Sequence, residues 1–273
     1  MSHVPAEPVT SQAPALAGPV MLHQSWRDVT FLHWAIDPQE VAHRMPPGVR
    51  PDTLDGVTYV GMIPFRTVGS ALFGGPAVPW FGSFLETNVR LYSVDDTGRR
   101  GVVFLSLDAD RSAVVAGARA VFGMPYRLAR MRYQASRDVH TYDARLRRPG
   151  TRVQSHLVVR AGARREGTEL DHFLSARWGL HLRHLGRTLY IPHQHEPWPV
   201  HDAEVLSLDD NLLASVGMPA LATRPPDHVA FSPGVRTEFG LPTDAARARR
   251  SGSMLSPGTS LPGDSAAVHA LLA

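Results

Sequence analysis

The sequence predicts an α+β protein that is mostly antiparallel β, built as one large curved sheet or barrel-like sandwich with a few short helices. Three observations lead there. Many short segments alternate apolar and polar residues with period two, separated by Gly, Pro, Asn and Asp turn signals. Helical periods are few and brief. No strand–helix–strand alternation and no Gly-rich phosphate loop runs along the 273 residues, which argues against a doubly wound nucleotide-binding fold.

Residues 1–20 are rich in Pro and Ala, lack any period, and are expected to form a disordered arm. A strand is expected over 28–36. Asp37 then caps a short helix with Pro38 at its first position and Glu40 in its first turn, and Pro46-Pro47-Gly48 ends it. Val57 to Val68 reads as a strand in which Pro64 marks an edge or a bulge. The Gly/Pro-rich stretch 69–82 carries Phe73, Trp80 and Phe81 and reads as a lid or as a packed surface loop. Ser83 to Val94 is a strand, Asp95-Asp96-Thr97-Gly98 a hairpin turn, and Gly101 to Asp108 the returning strand. A helix follows to Phe122, with an apolar stripe of Val114, Val115, Ala118, Val121 and Phe122. Gly123 stops it and Pro125 prevents its restart. Strands are expected over 127–136, 139–147, 151–160, 178–185, 188–191, 200–208 and 229–239, with short helices from Thr168 and from Asp209. After 242, Arg, Ser, Pro and Gly dominate and a disordered tail is expected. One domain therefore spans 21–241.

Composition narrows the function. A hydrophobic share of 43% and a charged share of 19% are those of a soluble globular protein, and no apolar run reaches the ~18 residues of a membrane span. With no basic segment before the first apolar stretch, a secretory signal is not expected, and the location is expected to be cytoplasmic. There are no cysteines, hence no thiolate chemistry. Every basic residue is Arg, which raises the pI to 9.7 although the formal charge is only +3. A chain without Lys cannot form a lysine Schiff base. The Arg-rich run after Ala245 lacks interleaved aromatics, so no nucleic-acid partner is expected. His193 and His195 share a face if extended, with His181, His184 and His201 near in sequence, but no ligand pattern is completed and no metal is expected.

Chemistry is expected on the strand 83–94. Phe84, Glu86, Asn88, Arg90 and Tyr92 share one face. If the hairpin closes with Val94 opposite Arg100, Glu86 faces Asp108, Asn88 faces Ser106, and Arg90 faces Phe104. Two adjacent carboxylates repel, and one would hold its proton to higher pH, as a proton shuttle requires. Arg90, Arg111 or Arg119 nearby would oppose that. Two readings stay open: a catalytic or ligand-binding cluster, and a structural network of carboxylates paired with arginines.

The runs 55–65 (DGVTYVGMIPF), 84–92 (FLETNVRLY), 106–109 (SLDA), 118–126 (ARAVFGMPY) and 195–198 (HEPW) resemble the YqjF-like bacterial family, a domain of unknown function related to the acetoacetate decarboxylase superfamily. The resemblance covers roughly 22–240 and implies a cone-like β-barrel around a buried pocket. In those decarboxylases a Gly-Arg-Glu-x-x-Gly-x-Pro-Lys-Lys segment supplies the Schiff-base lysine. Here Arg119, Gly123 and Pro125 match it, while Tyr126 stands at the Schiff-base position, Arg127 at its cationic neighbour, and Ala120 in place of the glutamate. Glu86 corresponds to an upstream catalytic glutamate. The resemblance therefore implies a surviving pocket without iminium chemistry.

The sequence reading is an enzyme acting on a small carbonyl-containing metabolite, of lyase, dehydratase, cyclase or isomerase type, by acid–base and electrostatic catalysis without a cofactor. Glu86, Asp108 and Tyr126 are its catalytic candidates, with Arg127 lowering the Tyr126 pKa. Arg90, Asn88, Ser106, Phe104, Arg119, Arg127 and Trp80 are its binding candidates. The alternative is a non-catalytic binder of small molecules on the same fold. A homo-oligomer is left open.

Overall fold

The computed structural model describes residues 4–77, 82–150 and 152–245. Its elements in order are β1 (Val20–Ile36), α1 (Pro38–Ala42), β2 (Val49–Pro51), β3 (Thr58–Leu72), β4 (Phe84–Asp95), β5 (Arg100–Ala109), α2 (Ser112–Phe122), β6 (Tyr126–Ser136), β7 (Val139–Leu146), β8 (Gln154–Arg164), α3 (Glu169–Ser175), β9 (Gly179–His184), β10 (Arg187–His195), β11 (His201–Asp210), α4 (Leu212–Ser215), a 3₁₀ turn (Leu221–Thr223), β12 (His228–Gly240) and β13 (Thr243–Asp244).

All of these strands belong to one sheet that curls onto itself. The path β5–β6–β7–β8–β11–β12–β1–β3–β4 returns to β5. A β10–β12 contact closes a second circuit, β12–β1–β3–β4–β5–β9–β10. The result is a ring-like curved sheet and not a clean barrel. Its two circuits share the wall β12–β1–β3–β4–β5. Some seams are narrow: β11 meets β12 at His201–Phe231 and β5 meets β9 at Val102–Leu180.

Because side chains alternate across a strand, the shared wall has two apolar faces. Leu32, Trp34, Val60, Met62, Val89, Leu91 and Val103 point into the larger circuit and pack with Tyr142, Leu157 and Val159 as the main core. Val29, Phe31, Ile63 and Phe65 point into the smaller one. Two one-residue bulges keep this sorting. In β1 the pairing with β3 slips between Arg27 and Leu32, where Asp28 takes φ 50°, so Gln24 and Trp26 share a face with Val29 and Phe31. The slip lies opposite Pro64, which has no N–H to give a ladder. β3 is an interior strand between β1 and β4, so Pro64 marks a bulge and not an edge. The second bulge is in β5, where Arg90 pairs with Phe104 but Val89 with Ser106, leaving Leu105 unpaired.

Some expectations need correction. The segment β5–α2–β6 is a crossover whose strands run parallel, with Leu107 beside Tyr126, where an antiparallel strand is expected. The helix is needed because a parallel return cannot be made by a tight turn. It ends at Gly123 in the left-handed region, where a side chain would also strike His184, 2.7 Å from its Nδ1. Val121 lies outside the buried stripe, at 37% exposure.

The N-terminal arm is not free over residues 4–19. It has no regular structure, yet Glu7 N–H donates to Gly98 O, Arg100 Nε donates to Glu7 O, Leu16 N–H donates to Gln194 Oε1, and Val9 packs on the cluster around Tyr92 and Phe173. An extended, Pro-rich segment satisfies its backbone on loops and side chains instead of a ladder. β1 also begins at Val20, eight residues before the expected strand, because it pairs with both β12 and β3 there. In the expected tail, Thr243 and Asp244 pair with β10; the tail beyond residue 245 lies outside the described residues. Among the described residues no helix is long and apolar enough to cross a membrane.

Candidate functional site

The smaller circuit encloses a cavity of about 80 Å³. Glu86, Asn88 and Arg90 of β4, Val102, Phe104 and Leu107 of β5, and Tyr126 of β6 form its polar end and one side. Trp26, Phe31, Phe65, Trp198 and Phe239 form an aromatic side, with Trp26 and Trp198 stacked at 6.0 Å. Arg177, His193 and His195 complete the lining.

Glu86 is 5% exposed and accepts a hydrogen bond from the Tyr126 hydroxyl at 2.9 Å. Burial pushes its pKa up to about 8, against the opposing hydrogen bonds of Tyr126 and Asn88. Glu86 is therefore a protonated acid at neutral pH. Burial, together with Glu86, holds the Tyr126 hydroxyl well above its usual pKa, so Tyr126 keeps its proton and donates it to the carboxyl. His193 and His195 are driven down to about 3 and about 4, first by burial, and are neutral.

Two arginines supply positive charge, and α3 explains how they are held. A helix leaves its last carbonyls without intrahelical donors. Here Arg90 Nη2 donates to Leu174 O at 2.9 Å, and Arg177 Nε to Phe173 O at 2.7 Å. The negative end of the helix dipole favours both cations. Arg177 also pairs with Asp52, which it shares with Arg100. No described carboxylate pairs with Arg90, whose remaining bond is to the Tyr92 hydroxyl. Four buried polar atoms of the lining have no hydrogen-bond partner: Trp26 Nε1, Asn88 Oδ1, Arg177 Nη2 and His193 Nδ1. Orphaned groups converging on one cavity mark a place where a polar ligand recovers their desolvation cost. Among the described residues no group of three His, Asp or Glu side chains converges as a metal site would.

Of the residues proposed from sequence, Glu86, Asn88, Arg90, Phe104 and Tyr126 line this cavity. Asp108, Ser106, Arg127 and Arg119 do not. The hairpin count is right from Val94–Arg100 to Arg90–Phe104, then fails by one at Leu105. Beyond the bulge Glu86 faces Ala109, Asn88 faces Leu107, and Asp108 and Ser106 are carried to the opposite face, beside Thr87 and Val89. Asp108 there makes a bidentate pair with Arg127, at 2.6 and 2.9 Å, so the structural-network reading holds for Asp108 and not for Glu86. Burial raises Asp108, and Arg127 opposes that rise. Arg127 follows Tyr126 along a strand and so points away from the cavity; it does not act on the Tyr126 hydroxyl. Arg119 is exposed on α2. Trp80 lies outside the described residues.

Sequence reasoning missed Arg177, Trp26 and Trp198 as lining residues. Arg177 sits just after α3 in a stretch without periodicity, which carries no signal. The i, i+2 spacing of His193 and His195 was visible, but it serves a cavity wall.

A family model matches residues 23–236 of this chain. The chain belongs to the DUF2071 family. That family is described as an uncharacterized conserved protein. A DUF2071 relative, the uncharacterized protein YqjF of Bacillus subtilis (strain 168), is 31% identical over 187 residues, spanning 67% of this chain and 76% of YqjF. Solved structures with the same fold include the enduracididine biosynthesis enzyme MppR, complexed with the condensation product of pyruvate and imidazole 4-carboxaldehyde. It has a TM-score of 0.57 and 14% identity, over 85% of this chain and 98% of that one. The acetoacetate decarboxylase of Legionella pneumophila subsp. pneumophila gives 0.54 and 15%, over 84% and 92%. An acetoacetate decarboxylase-like enzyme from Sphingomonas wittichii RW1 gives 0.56 and 14%, over 82% and 92%. The DUF2071 chain thus has an acetoacetate decarboxylase-like fold, one that several enzymes share.

Proposed function

We propose that the protein is an enzyme acting on a small carbonyl-containing anion, of lyase, dehydratase, cyclase or isomerase type, by acid–base and electrostatic catalysis without a lysine Schiff base. The observation that carries this reading is a buried Glu86, its carboxyl pushed by burial up to about 8, in the same small cavity as Arg90, a cation with no described carboxylate partner. A volume of about 80 Å³ is roughly half that of an engineered cavity that holds benzene, which favours substrates of few heavy atoms.

In this reading Arg90 and the free Nη2 of Arg177 hold the substrate's carboxylate or enolate oxygen. Glu86 gives its proton to the atom that gains electron density, and Tyr126 steadies the carboxylate left behind by keeping its hydrogen bond. A proton from water then restores Glu86. Iminium chemistry through lysine is closed to a chain with none.

The test is a screen of two- to five-carbon oxo acids followed by proton NMR. Turnover is expected for at least one, falling ~100-fold or more in Glu86→Gln, the scale of lost acid–base help. Borohydride should trap no internal adduct. Saturable binding of an oxo acid that Arg90→Met weakens, with no turnover in the wild type, would replace this reading with that of a non-catalytic binder.

A further inference from the structure

Four residues lie in one row across four neighbouring strands: His228 on β12, His33 on β1, Gly61 on β3 and Arg90 on β4. Gly61 is what lets the row connect. A Cβ there would come 3.0 Å from His33 Cδ2 and 2.9 Å from Ile63 Cδ1, so the His33 ring occupies the space that a side chain would fill. His33 thereby crosses β3 and brings its Nε2 to 2.7 Å from the Tyr92 hydroxyl on β4. Its Nδ1 stands 3.0 Å from Nδ1 of His228, whose Nε2 is 2.8 Å from Asp171 Oδ1 on α3. At the inner end, Arg90 Nε donates to the Tyr92 oxygen at 3.3 Å. The Tyr92 hydroxyl has a second acceptor in reach, Leu174 O at 3.0 Å, which also takes a bond from Arg90 Nη2.

Donor and acceptor counting fixes the protons along this chain. Against its burial, hydrogen bonds from His228, Arg165 and Thr168 hold the Asp171 carboxyl well below the usual range, so it is ionised and can only accept. Nε2 of His228 therefore carries hydrogen. When His228 is neutral its Nδ1 is bare, and His33 must donate from Nδ1. Nε2 of His33 is then bare and accepts from the Tyr92 hydroxyl. The Tyr92 oxygen is left for Arg90, and Leu174 O belongs to Arg90 alone. Adding a proton to His228 reverses the two bonds between His228, His33 and Tyr92. His228 Nδ1 donates to His33, which stays neutral because burial disfavours its charge. Nε2 of His33 then donates to the Tyr92 oxygen, and the hydroxyl turns to Leu174 O. Each acceptor of Arg90 now takes a second hydrogen bond that weakens its own, the Tyr92 oxygen from His33 and Leu174 O from the Tyr92 hydroxyl.

We propose that His228 is a positioning residue for Arg90: neutral, it holds the guanidinium in place through His33 and Tyr92, and protonated, it loosens it. His228 is the outermost member of the chain, with its side chain 11% exposed, whereas His33 and Tyr92 are fully buried. The titratable and charged groups around the histidine pair are Asp171 on α3 with Arg165 behind it, and Arg90 and Arg177 on the cavity side. The functional consequence rests on the reading of the cavity as an anion site. The hydrogen-bond relay does not.

The test has two arms. In ¹⁵N-labelled protein, long-range imidazole spectra report each histidine tautomer, and the arginine Nε–H resonance of Arg90 reports its bond to Tyr92. As the pH is lowered from 8 to 5, His33 should pass from Nδ1–H to Nε2–H in step with protonation of His228, and the Arg90 resonance should move with them. In His228→Gln the Arg90 resonance should no longer respond to pH. Tyr92→Phe should abolish the Arg90 response while leaving the histidine spectra as in the wild type, which serves if the first variant does not fold. His33 protonated on Nε2 at pH 8, or an Arg90 resonance that titrates unchanged in His228→Gln, overturns the proposal. The second arm measures pyruvate binding from pH 7 to pH 5, where Glu86 keeps its proton. The dissociation constant should rise about tenfold, the scale of one hydrogen bond, and should stay flat in His228→Gln. If pyruvate fails to bind at any pH, the anion-site reading is lost, and the spectra still decide the relay.

Discussion

Replacing Glu86 with glutamine should stabilise the protein at high pH and leave it nearly unchanged in acid. In the fold the Glu86 carboxyl titrates at about 8, against 4.5 for a free one, and its first cause is burial. The folded pKa is the higher, so the native state retains a proton that the unfolded chain gives up between pH 4.5 and pH 8. The native state is favoured below that window and loses stability as the pH rises through it. At about 1.4 kcal/mol per unit, a shift of this size costs about 3 kcal/mol at pH 7 and about 5 kcal/mol at pH 9. Glutamine has nearly the same shape, carries no charge, and can still accept the Tyr126 hydrogen bond. Glu86→Gln should therefore match the wild type within about 1 kcal/mol at pH 5 and exceed it by about 3 kcal/mol or more at pH 9. Urea unfolding at pH 5, 7 and 9, followed by tryptophan fluorescence, gives the three differences. A stability difference that does not change with pH, or a variant weaker than the wild type at pH 9, would refute a buried, uncompensated carboxyl. It would instead point to a charge partner for Glu86.

Three further outcomes follow from the same contacts. Tyr126→Phe removes the donor that stabilises ionised Glu86, so the Glu86 titration, read by carboxyl ¹³C NMR, should move above about 8; no movement would mean that the two side chains do not share a proton-bearing contact. Deleting residues 1–19 strips the bonds of Glu7 and Leu16 and the packing of Val9, and should lower the melting temperature by about 4–8 °C, as ~2 kcal/mol does in a domain of this size; an unchanged melting temperature would show that this strap contributes nothing. His193 and His195 titrate at about 3 and about 4 in the fold against 6.5 unfolded, so stability present above pH 6.5 should be lost as the pH falls toward 4. Over that window the two histidines take away about 2.7 kcal/mol per pH unit, partly offset by the gain from Glu86, and a His193→Phe variant should show a shallower acid loss in urea midpoints at pH 7 and 5.

Much of the β-structure and half of the site could be read from alternation and turn chemistry. Phe84 to Tyr92 alternates without interruption, so Glu86, Asn88 and Arg90 share a face in sequence and in the fold. The limits were those of non-local pairing. Nothing in FLSLDA marks Leu105 as the residue that leaves the ladder, yet that bulge decides whether Glu86 has a carboxylate or an alanine opposite it. Tyr126 and Arg127 required only the rule that neighbours on a strand diverge; the motif resemblance obscured it. Arg177 reaches the cavity because α3 and Asp52, 125 positions away in sequence, hold it there, which no local pattern encodes. The strap over 4–19 lacked any period because its partners are a turn and a side chain on other elements.

The wall shared by the two circuits is one strand thick. Phe31 meets the cavity and Leu32 the main core; Ile63 and Met62, and Asn88 and Val89, divide in the same way. These cavity residues are thus one peptide bond from a core residue. A core substitution that shifts a strand by a few tenths of an ångström reshapes the cavity from behind, without altering a single lining side chain. The shape of such a cavity can drift through ordinary repacking of the interior, so relatives with identical linings need not share a cavity of one shape.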